Sequence, residues 1–205
     1  MKKIYIWFLV FLVVMLALFF YKQAHAPTSD NLLIQEIENI NQDINENTLM
    51  SLALTSPAFV DGQNIPSKYT CDGENINPEL HISGIPEGTV SLVLVMDDPD
   101  IPDSVKESRG IEKFDHWVIY NMPPDTTVIK EGEKVGNEGL SSRGETGYVG
   151  SCPPDREHRY FFRLYALPNT LNFIKTPTLD EVETVAKESA IESTILMGRY
   201  QRTDR

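Results

Sequence analysis

The sequence predicts a mostly β fold, an antiparallel sandwich or barrel with a C-terminal helix, and three observations predict it. Short runs rich in β-branched and aromatic residues recur from Ser51 onward. Turn chemistry such as Asp72-Gly73, Pro123-Pro124 and Pro153-Pro154 separates them. Within that region the one clear helical pattern follows Thr178, so no strand–helix alternation exists to build a parallel sheet.

Residues 1–26 read as a membrane anchor or a signal segment. Met1, Lys2 and Lys3 form a basic head, and IYIWFLVFLVVMLALFFY then runs uncharged for 18 residues from Ile4 to Tyr21. That length falls between a signal-peptide core of about 7–15 residues and a spanning helix of roughly 20. Ala24-His25-Ala26 has the small-x-small form of a cleavage site. Pro27 follows at once and is expected to hinder cutting, which favours an uncleaved transmembrane helix over a removed leader. With Lys2 and Lys3 inside, the positive-inside rule sets the remainder outside the cytoplasm, anchored or exported.

Residues 27–50 are a polar connector. Leu33, Ile37, Ile40 and Ile44 recur at intervals of 4, 3 and 4, the spacing of a short amphipathic helix. Two heptads are few for a coiled coil, so a helical stalk is the better expectation.

Residues 51–205 have the length of one well-buried domain. The strand candidates are SLALT (51–55), SLVLVM (91–96), HWVIYNM (116–122), RYFFRLYAL (159–167) and, more weakly, ILMGRYQ (195–201). The helix starts at a capping box, Thr178 with Glu181 three residues on, and continues with Leu179, Val182, Ala186 and Ala190. Long loops between strands are the natural place for a site.

Beyond residue 26 the chain carries 15 basic and 30 acidic residues, a formal charge of −15. Such a body repels nucleic acid and anionic lipid surfaces at long range, which argues against both as partners of the domain. Only two cysteines occur, Cys71 and Cys152, both in Gly/Pro-rich loops. An exported domain could join them, and only one pairing exists; two separate thiols are the alternative.

Three stretches could carry chemistry. In "MDDPDIP" (96–102), Pro99 and Pro102 fix their own φ and push Asp98 and Ile101 toward extended conformations, so Asp97, Asp98 and Asp100 are held still. "FDHWVIYNMP" opens a strand with His116. In "GSCPPDREHRYFFRLYALP", His158 and Tyr160 are two apart and share one face of a strand, with Arg159 on the other. Together an aspartate, two imidazoles and a phenol could converge on one small pocket. A carboxylate accepting from an imidazole N–H fixes the tautomer and favours the cation, which explains how acids can stand in an anion site.

Those stretches, with "YTCDGENINPEL" (69–80) and "LMGRYQR" (196–202), occur in an order that resembles the phosphatidylethanolamine-binding protein family, in particular its bacterial and archaeal Raf-kinase-inhibitor-like branch. The resemblance covers about residues 51–205. It implies a β-sandwich with a small pocket for phosphate-type anions or phospholipid head groups, without metal or other cofactor. Carried over, the pocket aspartate falls on Asp98, with Asp100 and Pro102 completing its loop, and the histidines and tyrosine fall on His116, His158 and Tyr160. The glycine-proline turn of eukaryotic members falls on Cys152 and Pro153, a departure at 152.

The expected function is therefore a non-catalytic module binding a small anion or lipid head group. The alternative is an interaction or inhibitor protein with an unknown protein target, since the resemblance implies kinase inhibition in some members and protease inhibition in others. A hydrolase is a poorer reading, because neither G-x-S-x-G nor H-E-x-x-H occurs. Cys152 beside His158 would be its one candidate nucleophile.

Overall fold

The computed structural model describes residues 12–21, 33–42 and 51–202. The chain divides into two units, residues 1–48 and 49–205. In the first, residues 12–21 (α1) and 33–42 (α2) are helical. The rest of the expected leader and connector, Lys2, Lys3 and Ile44 among them, lies outside the described residues. Among the described residues no helix is long and apolar enough to cross a membrane.

The second unit holds two sheets. β1 (Ala53–Thr55), β2 (Leu80–Ser83) and β5 (Val128–Ile129) form a small one in the order β1-β2-β5. The larger contains β3 (Ser91–Asp98), β4 (Phe114–Met122), β6 (Asn137–Glu138), β7 (His158–Leu167) and β8 (Glu192–Tyr200), in the order β6-β4-β3-β7-β8. Every neighbouring pair is antiparallel.

β3 is central, and all eight of its residues are buried because both its faces are covered. Leu92, Leu94 and Met96 pack with Leu54, Leu80 and Ile129 from the small sheet. Val93 and Val95 face the other way, into a second cluster with Leu179, Val182 and Ala186 of helix α4 (Leu179–Ser189). Two covered faces explain why SLVLV reads as a continuous apolar run and not an alternating one. Each such side chain contributes about 1.5–3 kcal/mol on burial.

α4 begins where its capping box places it. The Thr178 hydroxyl accepts from the Glu181 N–H at 3.3 Å, and the Glu181 carboxylate accepts from the Thr178 N–H at 2.9 Å. Helix α3 (Asp103–Arg109) is absent from the sequence reading, which treats the stretch after "DDPDIP" as loop. Pro102 stands at its N-cap, and Gly110, at φ 65°, closes it in the left-handed conformation.

Cys71 and Cys152 form a disulfide, with sulfurs 2.09 Å apart and α-carbons 5.4 Å apart. Of the two readings left open by the sequence, the structure shows the bridge. It also removes Cys152 as a free thiol nucleophile.

Candidate functional site

Alternation along β3 sends its two terminal acids to opposite faces. Asp97 continues the row of Val93 and Val95 toward α4, where its carboxylate accepts from Arg163 Nε at 2.8 Å and lies 3.6 Å from Lys113 Nζ. Glu183 of α4 binds the same lysine at 2.8 Å and accepts from the Tyr165 hydroxyl at 2.8 Å. Asp97 therefore belongs to a buried ionic network. Asp98 continues the row of Leu92, Leu94 and Met96 and emerges at a cavity of about 430 Å³, within the size range of small-molecule sites.

The strand register assembles the neighbours of Asp98. β7 runs opposite β3 with Asp97 against Phe161, so the next step sets Asp98 against Tyr160, with His158 just beyond on the same face. β4 pairs Met96 with Trp117 but Asp97 with Asp115, leaving His116 as the extra residue of a bulge. A bulge turns a side chain away from strict alternation. Here it brings His116 to the cavity, while Trp117 stays in the core between the sheets.

The Asp98 carboxylate is fully engaged. One oxygen accepts from the Asp100 backbone N–H at 2.8 Å, and the other accepts from His158 Nδ1 at 2.7 Å. His158 Nε2 donates to Asp155 at 2.8 Å. Burial opposes a charge on this ring, but the two flanking carboxylates outweigh it and hold its pKa above the ordinary value. His116 is the opposite case. Its Nδ1 faces the Val149 carbonyl at 2.7 Å, and a carbonyl only accepts, so Nδ1 carries the proton. Burial pushes the His116 pKa down, so this ring stays neutral with a bare Nε2.

The structure thus brings Asp98, His116, His158 and Tyr160 into one cluster, but they do not all face the hollow. Asp98, Pro102, His116 and Cys152 line it. His158 is fully buried behind Asp98, with both nitrogens used. Tyr160 packs edge-on against His116 with centroids 5.2 Å apart. Its hydroxyl lies near the Ser151 hydroxyl and the Cys152 N–H without well-aligned hydrogen bonds, and burial drives its pKa far up. Asp100, expected in the pocket, instead faces outward. It takes Arg159 Nε and a second guanidinium nitrogen at 2.7 Å each, which hold its carboxyl down at about 2. It clamps the "DDPDIP" loop to β7. Pro153 gives way to Pro154 in the lining.

Sequence reasoning misses the walls and the mouth. Ile101, Val105, Phe114 and Val149 supply apolar lining, and Arg109 and Arg143 supply charge. Phe114 sits inside the quoted "FDHWVIYNMP", so its motif could have revealed it; the two arginines, one ending α3 and one in a turn, stand in ordinary "SRG" triplets and carry no local signal. The opposite wall is fixed by the loop around Cys71. Gly150 N–H donates to Asn75 Oδ1 at 2.7 Å, and a β-carbon at 150 would lie 2.5 Å from that oxygen and 2.8 Å from the Tyr69 carbonyl. Only glycine allows this approach.

The second unit is thus a two-sheet sandwich with a strand-end cavity backed by an aspartate–histidine pair, and α4 covers the outer face of its larger sheet. The chain belongs to the phosphatidylethanolamine-binding protein family, whose model matches residues 55–201. A UPF0098 protein of Chlamydia pneumoniae is 39% identical over 153 residues, covering 74% of this chain and all of that one. Another, from Methanothermobacter thermautotrophicus, is 40% identical over 156 residues, covering 73% and 98%. The crystal structure of a Chlamydia trachomatis homologue of the family superposes with a TM-score of 0.70 at 38% identity, covering 75% and 99%. That of Escherichia coli YbcL gives 0.66 at 25% identity, with the same coverage.

Proposed function

We propose that the domain is a non-catalytic module that binds phosphate-type anions or phospholipid head groups in the cavity at Asp98 and His116. The observation that carries this reading is the cavity itself: an Asp–His floor, apolar walls and two guanidiniums at the mouth. Guanidiniums are suited to oxyanions because their planar forks match phosphate geometry. A non-catalytic role is supported by the engagement of the reactive groups elsewhere. Both imidazole nitrogens of His158 serve carboxylates, and both cysteines are in the disulfide.

The uncharged leader behind Lys2 and Lys3 and the disulfide both support display outside the cytoplasm, where such bridges persist. Titration of the chain with inorganic phosphate and phosphoethanolamine, followed by imidazole NMR, tests the binding reading. His116 resonances are expected to shift at millimolar ligand. Unmoved His116 signals with both compounds overturn it.

A further inference from the structure

We propose that a second, smaller hollow, lined by Asn77, Trp117, Glu138 and Tyr148, binds an aminoacyl group: a protonated amine with an amide carbonyl one carbon away. The hollow has a volume of about 160 Å³ and shares no lining residue with the cavity at Asp98. A water occupies about 30 Å³, so the space suits a group of a few heavy atoms.

The first observation is a pair of polar atoms without partners on two buried residues. Asn77 is 4% exposed and Trp117 is 2% exposed, and both line the hollow. The Asn77 amide nitrogen donates to the Pro78 carbonyl at 3.1 Å and to the Lys130 carbonyl at 2.9 Å. Both amide hydrogens are thereby used, and Oδ1 receives no hydrogen bond among the described residues. The Trp117 indole packs edge-on against Tyr148, with ring centroids 5.4 Å apart. Its Nε1–H can only donate and has no acceptor among the described residues. Buried polar atoms are nearly always paired, so an orphan acceptor and an orphan donor at one hollow point to a ligand that supplies both.

The second observation fixes the charge of that ligand. Glu138 and Glu133 also line the hollow, and Lys134 is the one cation beside them. Lys134 lies 3.3 Å from Glu138 with its own side chain 77% exposed, while that of Glu138 is only 17% exposed. Such a solvent-facing lysine is held weakly and gives way to a better-placed cation. Glu133 spends one oxygen on the Lys130 N–H at 2.8 Å. An ammonium group has three hydrogens to donate, enough for Glu138 and Asn77 Oδ1 together. The Trp117 N–H then requires an acceptor oxygen close to that ammonium. An amide carbonyl meets the need, whereas the carboxylate of a free amino acid would be repelled by the two glutamates. Gly132 and Gly147 leave the approach open, since an added β-carbon at either would meet nothing closer than 3.8 Å.

NMR titration of the full chain with glycinamide, at about pH 6.5 so that its amine is protonated, tests this. The chain has two tryptophans, Trp7 and Trp117, so the W7F variant leaves the Trp117 indole N–H as the one indole signal. Glycinamide is expected to shift that signal saturably, leave the His116 ring signals in place, and bind at least tenfold more tightly than ethylamine, acetamide or glycine. E138Q, a change at the rim that keeps the core intact, is expected to weaken glycinamide at least tenfold. Triglycine binding more tightly than glycinamide identifies a peptide N-terminus as the source of the group, and the reverse identifies a small free amide; both agree with the proposal. Ethylamine or acetamide binding as tightly as glycinamide overturns it, and so does a Trp117 signal that stays fixed. A shift of His116 in place of Trp117 assigns the compound to the larger cavity and also overturns it, leaving the anion reading of that cavity untouched.

Discussion

His158 donates to Asp98 across 2.7 Å with neither side chain more than 4% exposed. Asp98 lines the cavity and His158 stands behind it, and Asp155 completes the arrangement from the solvent side with its own side chain 42% exposed. Charge on the imidazole is therefore set from both ends. Because the folded pKa of His158 is raised, its contribution to stability is fully present below the unfolded value of about 6.5. That contribution is lost as pH rises through the higher folded value. D155N removes one carboxylate and is expected to lower the His158 pKa in an NMR pH titration, narrowing the window in which the ring is charged. An unchanged titration would mean that Asp98 alone holds the proton.

Asp97 and Asp98 are adjacent in sequence and separate in role. Removing Asp97, 1% exposed, takes from Arg163 the carboxylate it binds at 2.8 Å and leaves Glu183 alone to face two largely buried cations, Arg163 and Lys113. D97A is expected to cost about 3–5 kcal/mol in denaturant unfolding. Ligand affinity of the folded fraction should stay within about twofold, since the network lies across the sheet from the cavity. Normal stability with lost binding would reverse the assignment of the two acids.

Asp115 is a strained acid. Burial pushes its pKa up to about 7, with Lys113 only partly relieving it, and one carboxylate oxygen is buried without a hydrogen-bond partner. A raised folded pKa means that the folded state binds the proton more tightly, so this residue costs stability as pH rises from about 4 to 7. D115N is expected to be more stable than the parent at pH 8 by on the order of 1–3 kcal/mol, and the advantage should vanish near pH 4. Thermal unfolding of both proteins across that range checks it. A destabilised D115N at pH 8 would show the ionised carboxylate to be well accommodated.

The disulfide fastens the loop at Cys71 to the cavity wall at Cys152, 81 residues apart in sequence. Chain-entropy reasoning gives it about 4 kcal/mol. The C71S/C152S variant is expected to lose about that much in chemical denaturation and to bind phosphoethanolamine more weakly, because Gly150 and Cys152 both line the cavity. Unaltered binding in the folded variant would show that hydrogen bonds such as Gly150 to Asn75 hold the wall by themselves.

Features with a local physical cause were legible in the sequence. The central strands, the capping box at Thr178 and the shared face of His158 and Tyr160 follow from side-chain periodicity and short-range hydrogen bonding. β5 and β6 escaped because two residues carry no pattern, and β2 because its alternation, Leu80 and Ile82 in with His81 and Ser83 out, runs for only four residues. α3 hid behind prolines that also suit a rigid loop. The candidate site was legible as a set of residues but not in its orientation. A bulge at His116, the outward clamp of Asp100 on Arg159, and two arginines brought together from distant stretches of chain are all settled by tertiary contacts.

The central claim is that Asp98 and His116 floor a binding site. Its most direct test is imidazole NMR of the full chain titrated with phosphoethanolamine. The account predicts a saturable shift of His116, absent in the R109Q/R143Q variant at the same ligand concentration, with a smaller response from His158 behind the wall. A His116 signal that stays fixed while the compound binds elsewhere would contradict it.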